Sequence, residues 1–243
     1  PIWHQEIEDI IVLKNNKGTE DNRVRKLDYS IQLSELFYKR FIENKDITLF
    51  SPHDAPDLYD AFGTPEFDEM YEKYERATSV KKKKIPAQEL FLSILKERAE
   101  TGRIYIMNID HCNTHSSFKD VIRMSNLCQE ITLPTEPLEH IDGQGEIALC
   151  ILSAINLGQV KNKEELENLC DLSVRGLEEL IDLQNYPVKA AEVSTKARRS
   201  LGIGYIGLAH FLAKNKVKYD SPDAWKLVDE YTEAFQYLSL IHI

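Results

Sequence analysis

"MSNLCQEITLP", residues 124 to 134, alternates Asn126, Cys128 and Glu130 with Leu127 and Gln129 before an apolar end. In extended chain, successive side chains point to opposite faces, so this pattern puts an amide, a thiol and a carboxylate on one face. "EITLP" (130–134) is then one strand candidate and "GEIALCILS" (145–153) another, across a polar turn with Gly143 and Gly145. Further upstream, "RIYIMNI" (103–109) alternates as a strand should and empties into "DHCNTHSS" (110–117), read as a loop.

Helices are expected around these strands. "AQELFLSILKERAE" (87–100) has Pro86 suited to its first turn and Gly102 to its end. "LDYSIQLSELFYKRFIENKD" (27–46) carries Ile31, Leu36, Phe37 and Phe41 at helical spacing. "SPHDAPDLYDAFGTPEFDEMYEKY" (51–74) begins as a Pro-rich loop and continues in helical pieces. Asn162 caps a helix whose buried stripe is Leu166, Leu169, Cys170, Val174, Leu177 and Ile181. Strands alternating with helices make the fold class α/β.

The 243 residues are 42% hydrophobic and 29% charged, enough for a real core, with a net charge of −10. That balance argues against nucleic acid or an anionic membrane as the principal partner. The dense basic run Lys81 to Lys84 reads as a solvated approach to a helix. The apolar run "IALCILSAINL" (147–157) is too short to span a bilayer. The opening "PIWHQEIEDI" lacks the pattern of a signal peptide, so a cytoplasmic location is expected. Residues 238–243, "LSLIHI", coincide with one reading frame of a common sequencing adaptor. They are expected to be foreign to a domain that covers 1–237.

Three motifs invite chemistry. "GIGYIG" (202–207) satisfies G-x-G-x-x-G, but "STKARRS" upstream is polar and cationic rather than an apolar strand. The glycines are therefore expected to allow close packing, not dinucleotide binding. Asp110, His111, Cys112 and His115 are metal-ligand types, yet only the two histidines have a paired spacing, and a hydrogen-bonded loop is the better reading. Cys170 belongs to an apolar stripe, and the four cysteines (Cys112, Cys128, Cys150, Cys170) form no disulfide framework.

The third motif is the opening trio, for which a structural cysteine is the plain alternative. Thiol hydrolases pair Cys with His, and no His is nominated here. An ordinary carboxylate, with a pKa of about 4.3, is a weak base towards a thiol of about 8.5, and its charge disfavours thiolate. Glu130 is thus expected to act on the substrate, and Cys128 in one-electron chemistry.

The chain resembles the large, catalytic subunit of class I ribonucleotide reductase, in particular the class Ia enzymes of enteric bacteria and their phages. The matching stretches are "PIWHQEIEDIIVLKNNKGTEDNRVRKLDYS", "ITLFSPHDAPDLYDAF", "ERAETGRIYIMNIDHCNTHSSF", "SNLCQEITLP", "GEIALCILSAINLG" and "RRSLGIGYIGLAHFLAK", in the family's order. The resemblance implies part of a ten-stranded α/β barrel with helices packed around the strands and a finger loop near 124–131. It implies that Cys128 becomes a thiyl radical and abstracts the ribose 3′ hydrogen. By the same resemblance, Glu130 would take the 3′-hydroxyl proton and Asn126 would hydrogen-bond the sugar hydroxyls. Cys150 would be one of two thiols that reduce the 2′ position and end as a disulfide, with its implied partner expected outside this piece.

No cofactor or metal is expected on this piece. The parent enzyme is implied to use ATP and dNTP effectors and a metal-generated radical held in a small (beta) subunit. Its other implied partners are a ribonucleoside diphosphate, a second large subunit, and thioredoxin or glutaredoxin. By the same resemblance, the nucleotide-binding amino-terminal domain, the specificity loops, the tyrosine pair, the phosphate loop and the tail thiols are expected to lie outside this piece, which in isolation is expected to be inactive, with sticky strand edges. A glycyl-radical or cobalamin-dependent reductase of the same barrel lineage stays open, as does a non-catalytic split-gene remnant.

Overall fold

The computed structural model describes every residue except Asn16, Gly18, Arg25, Ile141, Gly143, Gln144, His242 and Ile243, and the side chain of Asn22. Contacts gather in two compact units, Pro1–Thr135 and Glu136–Ile243.

The first unit runs α1 (Ile7–Ile11), β1 (Ser30–Leu33), α2 (Glu35–Ile42), β2 (Asp46–Phe50), α3 (Asp57–Ala61), α4 (Phe67–Arg76), β3 (Lys82–Pro86), α5 (Ala87–Thr101), β4 (Tyr105–Asn108) and α6 (Ile109–Thr114). β1 pairs parallel with β4, and β2 pairs antiparallel with β3. The single helix expected over 27–46 is in fact a strand followed by a helix. Ser34 divides them: its hydroxyl accepts the Phe37 N–H at 3.3 Å, satisfying a donor that the first helical turn leaves orphaned. Before it, Ile31 and Leu33 are buried while Ser30 and Gln32 are half-buried, a strand's period of two.

The lysine run is exposed and leads into α5, as expected, but Lys82 to Lys84 also lie in a strand. Lys82 Nζ donates to the carbonyls of Glu75 (2.7 Å) and Ala77 (2.5 Å), unpaired groups at the carboxyl end of α4. Lys83 pairs with Glu8. Residues 110–117, read as a loop, begin instead as α6. Gly102 ends α5 in the left-handed conformation (φ 63°), as its position predicts, while Pro86 stands just before the helix at its N-cap. Trp3, Phe37, Phe50, Phe62, Phe67 and Tyr71 fill this unit's core. The Tyr71 hydroxyl accepts the Thr48 N–H (2.6 Å) and donates to the Thr48 carbonyl (2.7 Å), so burying it leaves nothing unpaired.

The second unit runs β5 (Ile151–Asn156), α7 (Lys163–Leu183), α8 (Lys189–Arg198), β6 (Leu201–Ile206), α9 (Leu208–Lys214) and α10 (Pro222–Ile241). β5 and β6 pair in parallel, Ile151 beside Leu201 through Asn156 beside Ile206. Asn162 Oδ1 accepts the Glu165 N–H at 2.8 Å, the expected cap of α7, and Leu166, Cys170, Val174, Leu177 and Ile181 are buried beneath it. α10 continues across residue 238 to Ile241; the last two residues of the expected foreign tail lie outside the described residues.

Two strand expectations fail. Residues 130–134 form no strand, and "GEIALCILS" becomes one only from Ile151. Gly143, in the turn expected between them, lies outside the described residues. The ten-stranded barrel is likewise not closed: the described residues form three two-stranded sheets. Closure requires each strand to pair with a strand along both edges, and each strand here has one strand partner, with only an isolated His4–Phe50 bridge beyond that. The α/β character and two parallel pairs are present. No described helix is long and apolar enough to cross a membrane.

Candidate active site

Asn126 and Glu130 are brought together by a turn that also carries Cys128, not by the extended alternation expected of the trio. The Asn126 carbonyl accepts the Gln129 N–H at 3.1 Å, leaving Leu127 and Cys128 as the central residues of the turn. Gln129 takes a left-handed φ of 65°, uncommon for a residue with a side chain. Its Nε2 donates to the same Asn126 carbonyl at 2.8 Å, which holds that conformation. Folding back this way brings Asn126 Nδ2 to Glu130 Oε1 at 2.7 Å.

Asn126 does a second job. Its Oδ1 accepts the Ile131 N–H at 3.1 Å, while Ser125 Oγ donates to the Ile131 carbonyl at 2.6 Å. Both backbone groups of Ile131 are therefore occupied by side chains, which is why "EITLP" does not enter a ladder. Cys128 is a free, exposed thiol in this tied loop. The arrangement can orient a carboxylate through an amide, with an exposed thiol carried in the same turn. Ser125 escaped the sequence reading because its role depends on a turn that alternation does not predict.

Cys150 lies in the second unit, just before β5, half-buried and free. Burial pushes its thiol above the ordinary range, so it is protonated near neutrality. A β-carbon on Gly202 would lie 3.1 Å from Cys150 Sγ and would collide with Leu152, its neighbour in register. The glycine motif thus makes room for a thiol. Gly202 and Gly204 sit inside β6 and only Gly207 (φ 75°) stands in the turn between β6 and α9, so the motif does not form the glycine-rich turn after a strand that phosphate binding needs.

The other candidates do not assemble. His111 on α6 and His115 at its C-cap meet edge to face with ring centroids 5.5 Å apart, and the described residues hold no group of three or more His, Cys, Asp or Glu side chains placed to hold a metal. Burial and then Asp110 push the Cys112 thiol up. Cys170 is wholly buried in α7, as its stripe predicts.

The model of the ribonucleotide reductase barrel domain matches residues 1–241. The chain belongs to this family. It is 55% identical to the ribonucleoside-diphosphate reductase subunit alpha of Haemophilus influenzae and 52% identical to ribonucleoside-diphosphate reductase 1 subunit alpha of Escherichia coli, over 99% of this chain and 32% of each relative. The subunit alpha of Enterobacteria phage T4 is 43% identical over 98% of this chain and 32% of its own length. The chain spans about a third of the length of the curated relatives it matches. The six stretches that carry the resemblance are thus those of a family member, enteric and phage relatives included.

Proposed function

We propose that this chain is the barrel portion of a class I ribonucleoside-diphosphate reductase large subunit, reducing ribonucleoside diphosphates to 2′-deoxyribonucleoside diphosphates for DNA synthesis. The observation that carries the reading is 52–55% identity to such subunits across 99% of the chain.

Asn126, Cys128 and Glu130 are the residues assigned to the sugar. Cys128, once its sulfur radical is formed, takes the 3′ hydrogen atom and leaves the radical on the ribose carbon. Glu130 takes the 3′-hydroxyl proton, and the Asn126 amide that donates to it fixes its orientation. Cys150 and a partner outside this chain each give one electron to the 2′ position and become joined as a disulfide. A protonated Cys150 suits that task, since the 2′-hydroxyl leaves as water only after gaining a proton.

The placement of Cys150 supports this. It neighbours Gly202 at the start of a sheet face carrying Leu152, Ala154, Gly202, Gly204 and Ile206 without a charge. That is the composition of a face turned into a barrel, and a ten-stranded barrel completed by the rest of the subunit is part of the proposal. The radical would come from a partner small subunit, and the disulfide would be reset by thioredoxin or glutaredoxin. ATP and dNTP would regulate a homodimer in the cytoplasm.

The test grafts residues 1–237 into a homologous large subunit assembled with its small subunit. Cys128→Ser should remove turnover, because a hydroxyl O–H bond is too strong to yield the radical. Substantial turnover by that variant would sink the assignment.

A further inference from the structure

Asn113 sits in α6 among residues that look like metal ligands, yet its amide faces the backbone of Ile122. Ile122 N–H donates to Asn113 Oδ1 at 2.8 Å, and Asn113 Nδ2 donates to the Ile122 carbonyl at 3.1 Å. This two-way exchange is what a neighbouring strand residue would make, here supplied by a side chain. Nδ2 also donates to the carbonyl of Ile109, one turn back, at 3.2 Å. A flipped amide would turn its oxygen on two carbonyls, so one orientation alone satisfies the site.

The surroundings hold that amide in place. Gly63 (φ 85°) packs against it, and a β-carbon there would lie 2.9 Å from Asn113 Nδ2 and 2.5 Å from Ile109 Cγ1. Ile122 itself is buried. The next residue is tied too: Gln32 Nε2 donates to the Arg123 carbonyl at 2.6 Å, and Arg123 Nη1 donates to the carbonyls of Tyr59 (3.2 Å) and Asp60 (2.8 Å) in α3. From this anchored pair the chain passes through Met124 alone to Ser125 and the turn that carries Cys128.

We propose that Asn113 is a positioning residue for Cys128, its side chain acting as the strand partner that sets where the thiol-bearing loop begins. The inference rests on the reading of Cys128 as the reacting thiol. Hydrogen transfer demands close approach, and a misplacement of about 1 Å costs about 100-fold in rate.

The experiment uses Asn113→Ala in the full-length chain, with amide hydrogen exchange read residue by residue. The Gln129 and Ile131 amides, which Asn113 does not touch, should exchange at least about tenfold faster if the anchor governs the loop, while amides around Cys170 stay unchanged. In the assembled reductase kcat should fall about 10- to 100-fold with KM within about twofold. Asn113→Asp keeps the acceptor for Ile122 N–H and regains the donor only when protonated, so its activity relative to wild type should recover as pH falls. Acceleration confined to Ile122, or an unchanged kcat, overturns the proposal. Should the alanine variant unfold, a flat ratio of Asn113→Asp to wild-type activity across pH overturns it equally. If Cys128→Ser retains turnover while the loop amides of Asn113→Ala still accelerate, the reaction assignment fails and the anchoring stands.

Discussion

Cys128 and Cys150 are held in different ways. Cys128 is exposed on a loop whose hydrogen bonds come mostly from side chains, and the residue that organises them is Asn126, bonded at both ends of its amide. Cys150 is half-buried beside a strand whose glycine leaves space for the sulfur. Burial disfavours thiolate, so alkylation of Cys150 by iodoacetamide should follow a pH curve centred above the ordinary thiol value of about 8.5. Mass spectrometry of the Cys150 peptide across pH 7 to 11, roughly bracketing that value, reads the midpoint directly. A midpoint at or below the ordinary value would mean that the thiol is not shielded as described.

Between elements, the tie that joins α2, β2 and α4 is ionic. Arg40 donates to both oxygens of Glu75 at 2.7 Å, and Thr48 Oγ1 reaches Glu75 Oε1 at 2.5 Å, with both charged side chains only 14% exposed. Burial pushes the Glu75 carboxyl up, but the Arg40 and Thr48 hydrogen bonds outweigh it and hold it below the usual range. A carboxyl held lower in the folded state stabilises above its unfolded pKa, and that contribution is lost as pH falls through the folded value. Glu75→Gln should therefore cost about 2 kcal/mol near neutrality, measured by urea unfolding, and the gap to wild type should close below about pH 4. A gap that widens in acid would contradict the sign. Elements marked by local chemistry were legible here: Asn162 opens α7 and Gly102 closes α5, because a cap needs only neighbours in sequence. The 27–46 stretch was not, because its apolar spacing suits both periods and the parallel partner β4 lies far along the chain.

At the scale of the whole molecule, β5 and β6 form a parallel pair with one face unburied. Parallel sheets are ordinarily covered on both faces, and a strand edge left bare invites pairing. Leu152 is 64% exposed on that face, and Ile206 56%. Leu152→Lys should reduce self-association of the 243-residue chain, read by static light scattering at matched concentration. Unchanged scattering would place the sticky surface elsewhere.

By itself the sequence determined the family, the α/β class, the identity of the candidate thiols, amide and carboxylate, and the helices that carry their own caps. These depend on residue type and on contacts a few positions apart. Only the tertiary structure decided that Asn126 and Glu130 meet through a turn, that Gly202 makes room for Cys150, and that Asn113 grips Ile122. Each of those rests on a backbone reversal or on a partner from another element. Residue spacing cannot encode them, because a hydrogen bond reads distance in space rather than distance along the chain.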